Sequence, residues 1–473
     1  MSESCLYLNV YSPDFRRKHS KLAPVMIWIH GGGFVSGSAQ SSMYNPKHLV
    51  QEGVLVVTVN YRLGPLGFLC LPSVGIEGNM GLKDQQMSFA WVKENIGYFG
   101  GNSGDVTIFG QSAGGASVHL HYLSESSRQY FHKAIAQSGS AFNQWVFQKD
   151  PDKRARKLAE LTGCQDPFND TLVYETLMRA DAKTLTELQY QVMSDEERSV
   201  VVNFPFTPTV ERQESVDPLV LENPLRAIRK QFSKDIPLIM GITSEEGIGL
   251  ASHVSSFLDE YERYFSTQLI PFTLMVSEEN ERREAAEMIR EFFFGSVSLS
   301  QDSLLNMVRV LGDNGNKFAG YLTAELHFRY QKSSPVFFYI FSYISELNKL
   351  RKLSNTPDSL PGASHGDDLC YLFSSSFFDT DSIDSDSDAF AYRQQMCKLW
   401  TDFAKFGEPT PDDSAGFRWQ PLNTDTDDFH LNALELNKIP KMIVDPFAER
   451  FNFWKALFKQ YNGGHLNPKI WNY

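Results

Sequence analysis

The segment Val106-Thr107-Ile108-Phe109-Gly110-Gln111-Ser112-Ala113-Gly114-Gly115 constrains this chain more than any other. Four residues of β-type composition run into a G-x-S-x-G pentapeptide, and an apolar, helix-compatible stretch follows. The order is strand, sharp turn, helix, which implies an α/β sheet. A serine at such a turn takes a strained backbone that pushes its hydroxyl clear of neighbouring side chains. Gly110 and Gly114 flank it because a Cβ at either position would collide where the strand crosses into the helix. The helix N-terminus beyond Ser112 offers free N–H groups and positive partial charge where an oxyanion would form. A plain Gly/Ser-rich loop has a similar composition, but needs neither the β-rich run before it nor the helix after it.

The surrounding pattern agrees with an α/β sheet. Val25 to His30 and Val54 to Tyr61 are apolar runs of the kind buried central strands carry. Residues 84–97 read as helix, Phe99-Gly100-Gly101 as a Gly-rich turn, 106–109 as strand, and the segment after Ser112 as helix to about Leu123. Residues 134–137, 237–242 and 336–343 read as further strands, and 150–330 is otherwise more helical and more charged. The alternation implies parallel strands with crossover helices. Residues 374–388, rich in Ser and Asp, read as a solvated loop without EF-hand spacing. Met396, Leu399, Trp400, Phe403 and Phe406 fall at helical spacing and read as a core-packing face. No repeat or long linker divides the 473 residues, so one domain over 1–473 is expected.

Acyl transfer by a serine needs a base, an acid that orients it, and donors for the oxyanion. On sheets of this kind the chain order is Ser, acid, His. Of eleven histidines, His119 and His121 lie on the helix leaving Ser112 and read as packing or surface residues. His30 reads as ordering the loop after its strand. His365, in a small-residue loop beyond strand 336–343, is the candidate base, placed where open α/β sheets carry their sites. Glu245 and Glu246 both follow strand 237–242, and local sequence leaves the acid open between them. Gly31-Gly32-Gly33-Phe34 after strand 25–30 is of the HGGG type, whose unscreened amides, with that of Ala113, make a three-donor hole.

A net charge of −13 argues against nucleic acid and anionic membrane surfaces as partners. The longest apolar run, Val336 to Ile344, is too short to span a bilayer. Cys5, Cys70, Cys164, Cys370 and Cys397 are scattered, odd in number and without C-x-x-C spacing. They suit free thiols in a reducing, cytoplasmic setting rather than a disulfide framework or zinc site. No leader segment, metal or cofactor is expected from this sequence.

The motifs resemble the type-B carboxylesterase and cholinesterase group of α/β-hydrolases over essentially the whole chain. Phe99 to Gly114 fits that family's serine signature at every position, and Glu3 to Tyr11 resembles its second signature. Also similar are His30 to Phe34, Asn60 to Gly64, Gly78 to Gln85, Gln137 to Ser140 and Gly407-Glu408-Pro409. The resemblance implies a largely parallel central sheet with helices on both faces and helical insertions. It also implies ester hydrolysis through an acyl-enzyme, with Ser112, Glu246 and His365 as triad and Gly32, Gly33 and Ala113 as oxyanion hole. By the same carry-over Ser138 supports the acid, and Phe204 and Phe206 border the acyl pocket. Loop 364–369 looks like that of intracellular insect α-esterases. Gln111 stands where cholinesterases carry a Glu that helps hold a cationic substrate, so uncharged lipophilic or xenobiotic esters are expected, with organophosphates phosphorylating Ser112. A juvenile-hormone-type esterase is a narrower alternative, and a non-catalytic binding or sequestering relative another. Ser4 departs from the usual Asp of the second signature. The chain opens at that signature, so it is expected to be N-terminally short, without the usual disulfide partner of Cys5.

Overall fold

The structure is a computed structural model, and it describes residues 3–13, 22–200, 202–230, 232, 234–276, 278–422 and 426–465. Among them one sheet runs through the molecule, in the order β1-β3-β2-β4-β5-β6-β7-β8-β9. The strands are β1 (Leu8–Tyr11), β2 (Ala23–Ile29), β3 (Leu55–Val59), β4 (Gly101–Gln111), β5 (Lys133–Gln137), β6 (Leu238–Thr243), β7 (Val336–Phe341), β8 (Asn432–Leu436) and β9 (Lys441–Val444). From β3 across to β8 every pairing is parallel, while β1 and β9 pair antiparallel at the two edges.

Side-chain alternation divides the core between the two faces of the sheet. Val25, Ile27 and Ile29 of β2, with Val336, Phe338 and Ile340 of β7, join one apolar cluster. Met26 and Trp28, with Phe337, Tyr339 and Phe341, join another on the opposite face. Both faces are covered, which is why these strands are continuous apolar runs instead of alternating ones. Each fully buried side chain of this size contributes about 1.5–3 kcal/mol of transfer free energy.

Six helices matter below: α1 (Met80–Asn95), α2 (Ala113–Leu123), α3 (Leu304–Gly312), α4 (Phe318–Tyr330), α5 (Asp388–Phe406) and α6 (Ala448–Asn462). A π-helical turn, Asp313–Lys317, joins α3 to α4. A third apolar cluster packs α3, α4 and α6 together, with Leu304, Met307, Leu322, Leu326, Trp454 and Phe458 among its members.

Several expected boundaries move. β4 begins at Gly101, so the glycine assigned to a turn is its first residue, pairing with Ala23. The helix expected over 84–97 starts at Met80 and ends at Asn95, followed by a 3₁₀ turn, Ile96–Phe99. Along α5, Met396, Leu399, Trp400 and Phe403 are buried, but Phe406, the last residue before the Gly407 cap, is 62% exposed. β1, β8 and β9 were not foreseen. They are four or five residues long and stabilised by pairing with distant strands, which local composition does not report.

Candidate active site

The sheet order brings the candidate residues together. β2 and β4 are neighbours, so the Gly31–Gly33 loop and the Ser112 turn emerge side by side at the C-terminal ends of parallel strands. Ser138 follows β5, Glu246 follows β6, and His365 lies between β7 and β8.

Ser112 has φ 58° and ψ −123°, a strained conformation for a side chain with a Cβ, as the turn requires. The flanking glycines are sterically obligatory. A Cβ on Gly114 would fall 2.0 Å from the Ile29 carbonyl oxygen, and one on Gly110 would meet the Gly114 backbone at 2.6 Å. Ala113 opens α2, so its N–H lacks an intrahelical acceptor. Gly32 and Gly33 have φ of 114° and 63°, which places them in the left-handed region. His30 lies beneath their loop as expected: it is buried, stacks on Tyr61 at 4.4 Å and accepts the Tyr61 hydroxyl on its carbonyl at 2.8 Å. Burial pushes its imidazole down to about 4.

The structure places Glu246, and not Glu245, against His365. Glu246 Oε2 lies 2.6 Å from His365 Nδ1. Its other oxygen accepts the Ser138 hydroxyl at 2.6 Å and the Thr243 N–H at 2.8 Å. Glu245 turns away and accepts both Nε and Nη2 of Arg309 at 2.9 and 2.8 Å. Burial opposes the charge of Glu246, but His365, Ser138 and the Thr243 amide outweigh it and hold the carboxyl below its ordinary range. Burial likewise opposes an imidazolium at His365. The Glu246 carboxylate overcomes that, with Asp368 and Asp367 adding to it, so the ring is held above its ordinary value.

The loop around His365 is tied down from beneath. Asp367 accepts the N–H groups of Ser364 and Arg351 and the amide of Asn348. Asp368 accepts the Tyr339 hydroxyl and the Gln137 amide, each at 2.8 Å, and Trp400 donates to Gln137 in turn. These hydrogen bonds from separate elements to two buried carboxylates hold the loop in place.

Asn316, on the π-helical turn, was not anticipated. Its Nδ2 lies 3.2 Å from both Glu246 Oε2 and His365 Nδ1. Nδ1 carries the proton shared with Glu246, so the amide's hydrogen bond goes to the carboxylate. Asn143 donates to Asn316 Oδ1 at 2.8 Å, which fixes the direction of that amide. The run Asp313-Asn314-Gly315-Asn316, helix-poor within a helical region, was the available signal.

Gln111 is placed differently from a pocket-lining residue. It is 5% exposed, and its Nε2 lies 3.0 Å from His365 Nε2. Among the described residues the Ser112 hydroxyl makes no hydrogen bond to His365 or to another group. Phe204 lies directly over the glycine loop: a Cβ on Gly33 would meet its Cε1 at 2.3 Å. Trp145 stands edge-on to Phe204 at 5.8 Å. Phe206 is fully buried and belongs to the apolar cluster that includes Phe34 and Phe68. His119 and His121 are buried packing residues, their imidazoles pushed down to about 3 by burial. The described residues hold no cluster of His, Cys, Asp and Glu suited to a metal ion, and none of their helices is long and apolar enough to cross a membrane.

A strained serine at a strand-to-helix turn, set in this strand order beside a histidine–carboxylate pair, defines an α/β-hydrolase. The match is specific. The model of the carboxylesterase family covers residues 1–454. Venom carboxylesterase-6 of Apis mellifera is 33% identical over 98% of this chain and 81% of its own length. Juvenile hormone esterase of Tribolium castaneum is 32% identical over 89% of this chain and 73% of its own. The crystal structure of juvenile hormone esterase from Manduca sexta, with OTFP covalently attached, superposes with a TM-score of 0.81 at 25% identity, covering 97% of this chain and 85% of that one. The chain belongs to the carboxylesterase family and is a carboxylic ester hydrolase.

Proposed function

We propose that Ser112 is the nucleophile, His365 the base and Glu246 the residue that orients and charges it. The 2.6 Å contact between Glu246 Oε2 and His365 Nδ1, beside the strained Ser112 turn, carries this reading. His365 Nε2 takes the Ser112 proton as the oxygen attacks the ester carbonyl, and Glu246 stabilises the imidazolium. The amides of Gly32, Gly33 and Ala113 donate to the oxyanion. The alcohol leaves with the proton from His365, and water repeats the sequence on the acyl-enzyme. Ser112→Ala abolishes hydrolysis of a simple aryl ester, and a fluorophosphonate adds to the Ser112 peptide, read by mass spectrometry. Full activity in the folded variant, or no adduct on folded wild-type protein, sinks the assignment.

The proposed substrates are uncharged lipophilic esters, xenobiotic ones included, with organophosphates as inhibitors that phosphorylate Ser112. Two features support this: Phe204, with the buried Trp145 edge-on to it, puts an apolar ring over the glycine loop, and the neutral Gln111 stands beside the proposed base. The juvenile hormone esterases among the relatives favour a second, narrower reading. Comparing short aryl esters with an epoxy-isoprenoid methyl ester separates them: a kcat/KM at least tenfold higher for the aryl esters supports the broad reading, and the reverse supports the narrow one. A burst of one equivalent followed by negligible turnover would instead mark a sequestering role. A cytoplasmic site of action is part of the proposal, supported by the unpaired thiols in the core.

A further inference from the structure

Gln111 occupies the nitrogen on which the reaction depends. His365 Nδ1 faces Glu246 Oε2 at 2.6 Å and carries the proton, so Nε2 presents a lone pair. Gln111 Nε2 lies 3.0 Å from that lone pair and donates to it. The amide is confined. Its residue is 5% exposed, its Oε1 lies 3.1 Å from where a Cβ on Gly31 would stand, and its Nε2 lies 3.4 Å from the corresponding point on Gly366. Gln111 ends β4 and Ser112 follows directly, so one backbone segment supplies both the nucleophile and the group on the base.

A lone pair engaged by an amide N–H cannot at the same moment accept the proton of a serine hydroxyl. We propose that Gln111 is a positioning residue that holds the free enzyme at rest: its side-chain amide caps His365 Nε2, and an incoming ester must displace it before Ser112 can attack. This rests on the triad reading above. A glutamate at the same place would lack the N–H and would favour the imidazolium by its charge, so neutrality and donation both matter. His365 is also faced by Glu246 from the loop after β6 and by Asp367 and Asp368 on its own loop. All three remain when Gln111 is replaced, so a change in the pH profile reports on Gln111 itself.

The test is the second-order rate of Ser112 phosphonylation by a fluorophosphonate, followed across pH in wild type, Gln111→Met and Gln111→Glu. Both variants keep the side-chain length and remove the donor. Loss of one competing hydrogen bond predicts a plateau rate about two- to tenfold above wild type at alkaline pH. The acidic limb moves to higher pH in both variants, further in Gln111→Glu. A merely structural role would lower the plateau and leave the limb in place. If one variant fails to fold by circular dichroism, the other carries the test. A plateau at or below wild type in a folded variant overturns the proposal. Failure of wild type to label at Ser112 overturns the triad reading instead, so the two failures are distinct.

Discussion

At the scale of single residues, the site depends on charge balance around one imidazole. Burial alone would lower the His365 pKa, but the Glu246 carboxylate reverses the sign. In the proposed triad His365 works only when neutral, so the acidic limb of kcat/KM is expected above the ordinary imidazole value of about 6.5, with activity falling as pH drops through it. Glu246→Gln removes the largest contribution raising that pKa. The expected outcome is a limb moved to lower pH and a loss in kcat on the order of 10⁴, measured by pH-dependent steady-state kinetics. Glu246 itself has the opposite linkage. Its folded-state pKa is depressed, so its contribution to stability is present above the carboxylate range and is lost as pH falls through the folded value. Adjacent residues diverge sharply: Glu245 binds Arg309 while Glu246 binds His365, a separation set by which neighbours each side chain meets after β6.

At the scale of elements, the π-helical turn between α3 and α4 matters most. An ordinary α-helical path would continue its i→i−4 ladder through 313–317. The wider turn frees Asn316 to reach Glu246, and turns of this type recur at functional sites. The turn is held on its other side by Asp313, which accepts Arg450 and the Trp454 indole from α6. Asn316→Ala removes a donor from a buried carboxylate without touching the sheet. The expected result is a kcat lowered about tenfold with KM little changed, equivalent to about 1.4 kcal/mol. Unaltered thermal unfolding would place the effect in the site rather than in the fold. The strands that carry the site were legible because each is buried on both faces and reads as an apolar run. The edge strands were not, since four residues such as Leu8–Tyr11 acquire their identity from pairing with Val56–Val59.

At the scale of the whole molecule, sheet and helical insertions place four of the five cysteines inside. Cys70, Cys164, Cys370 and Cys397 are buried and Cys5 is half-buried. Burial pushes the thiols of Cys70 and Cys370 up to about 12, so they are poor nucleophiles at neutral pH. A disulfide-exchange reagent is expected to react readily with Cys5 alone in native protein and with all five after denaturation. Rapid native reaction of more than one thiol would contradict this packing. The arrangement of the motifs follows the same logic. The runs around Arg62 and Asp84, separate in sequence, meet as a bidentate ion pair between the loop after β3 and α1, with Arg62 Nε and Nη2 each 2.8 Å from a carboxylate oxygen. They frame the fold rather than touch the triad.

The amino-acid sequence by itself determined what is local. The strand, the strained serine turn and the helix follow from steric demands contained within ten residues, and the buried strands follow from unbroken apolar runs. Family resemblance then pointed to Glu246 and His365, which residue patterns alone left partly open. Tertiary structure decided what depends on meetings across the chain: that Asn316 reaches a carboxylate 70 positions away, that Phe204 covers the glycine loop, and that Gln111 sits on an imidazole 254 positions downstream. A hydrogen bond is specified by distance and direction at its two ends, and neither is written in the order of residues until the sheet has brought those ends together.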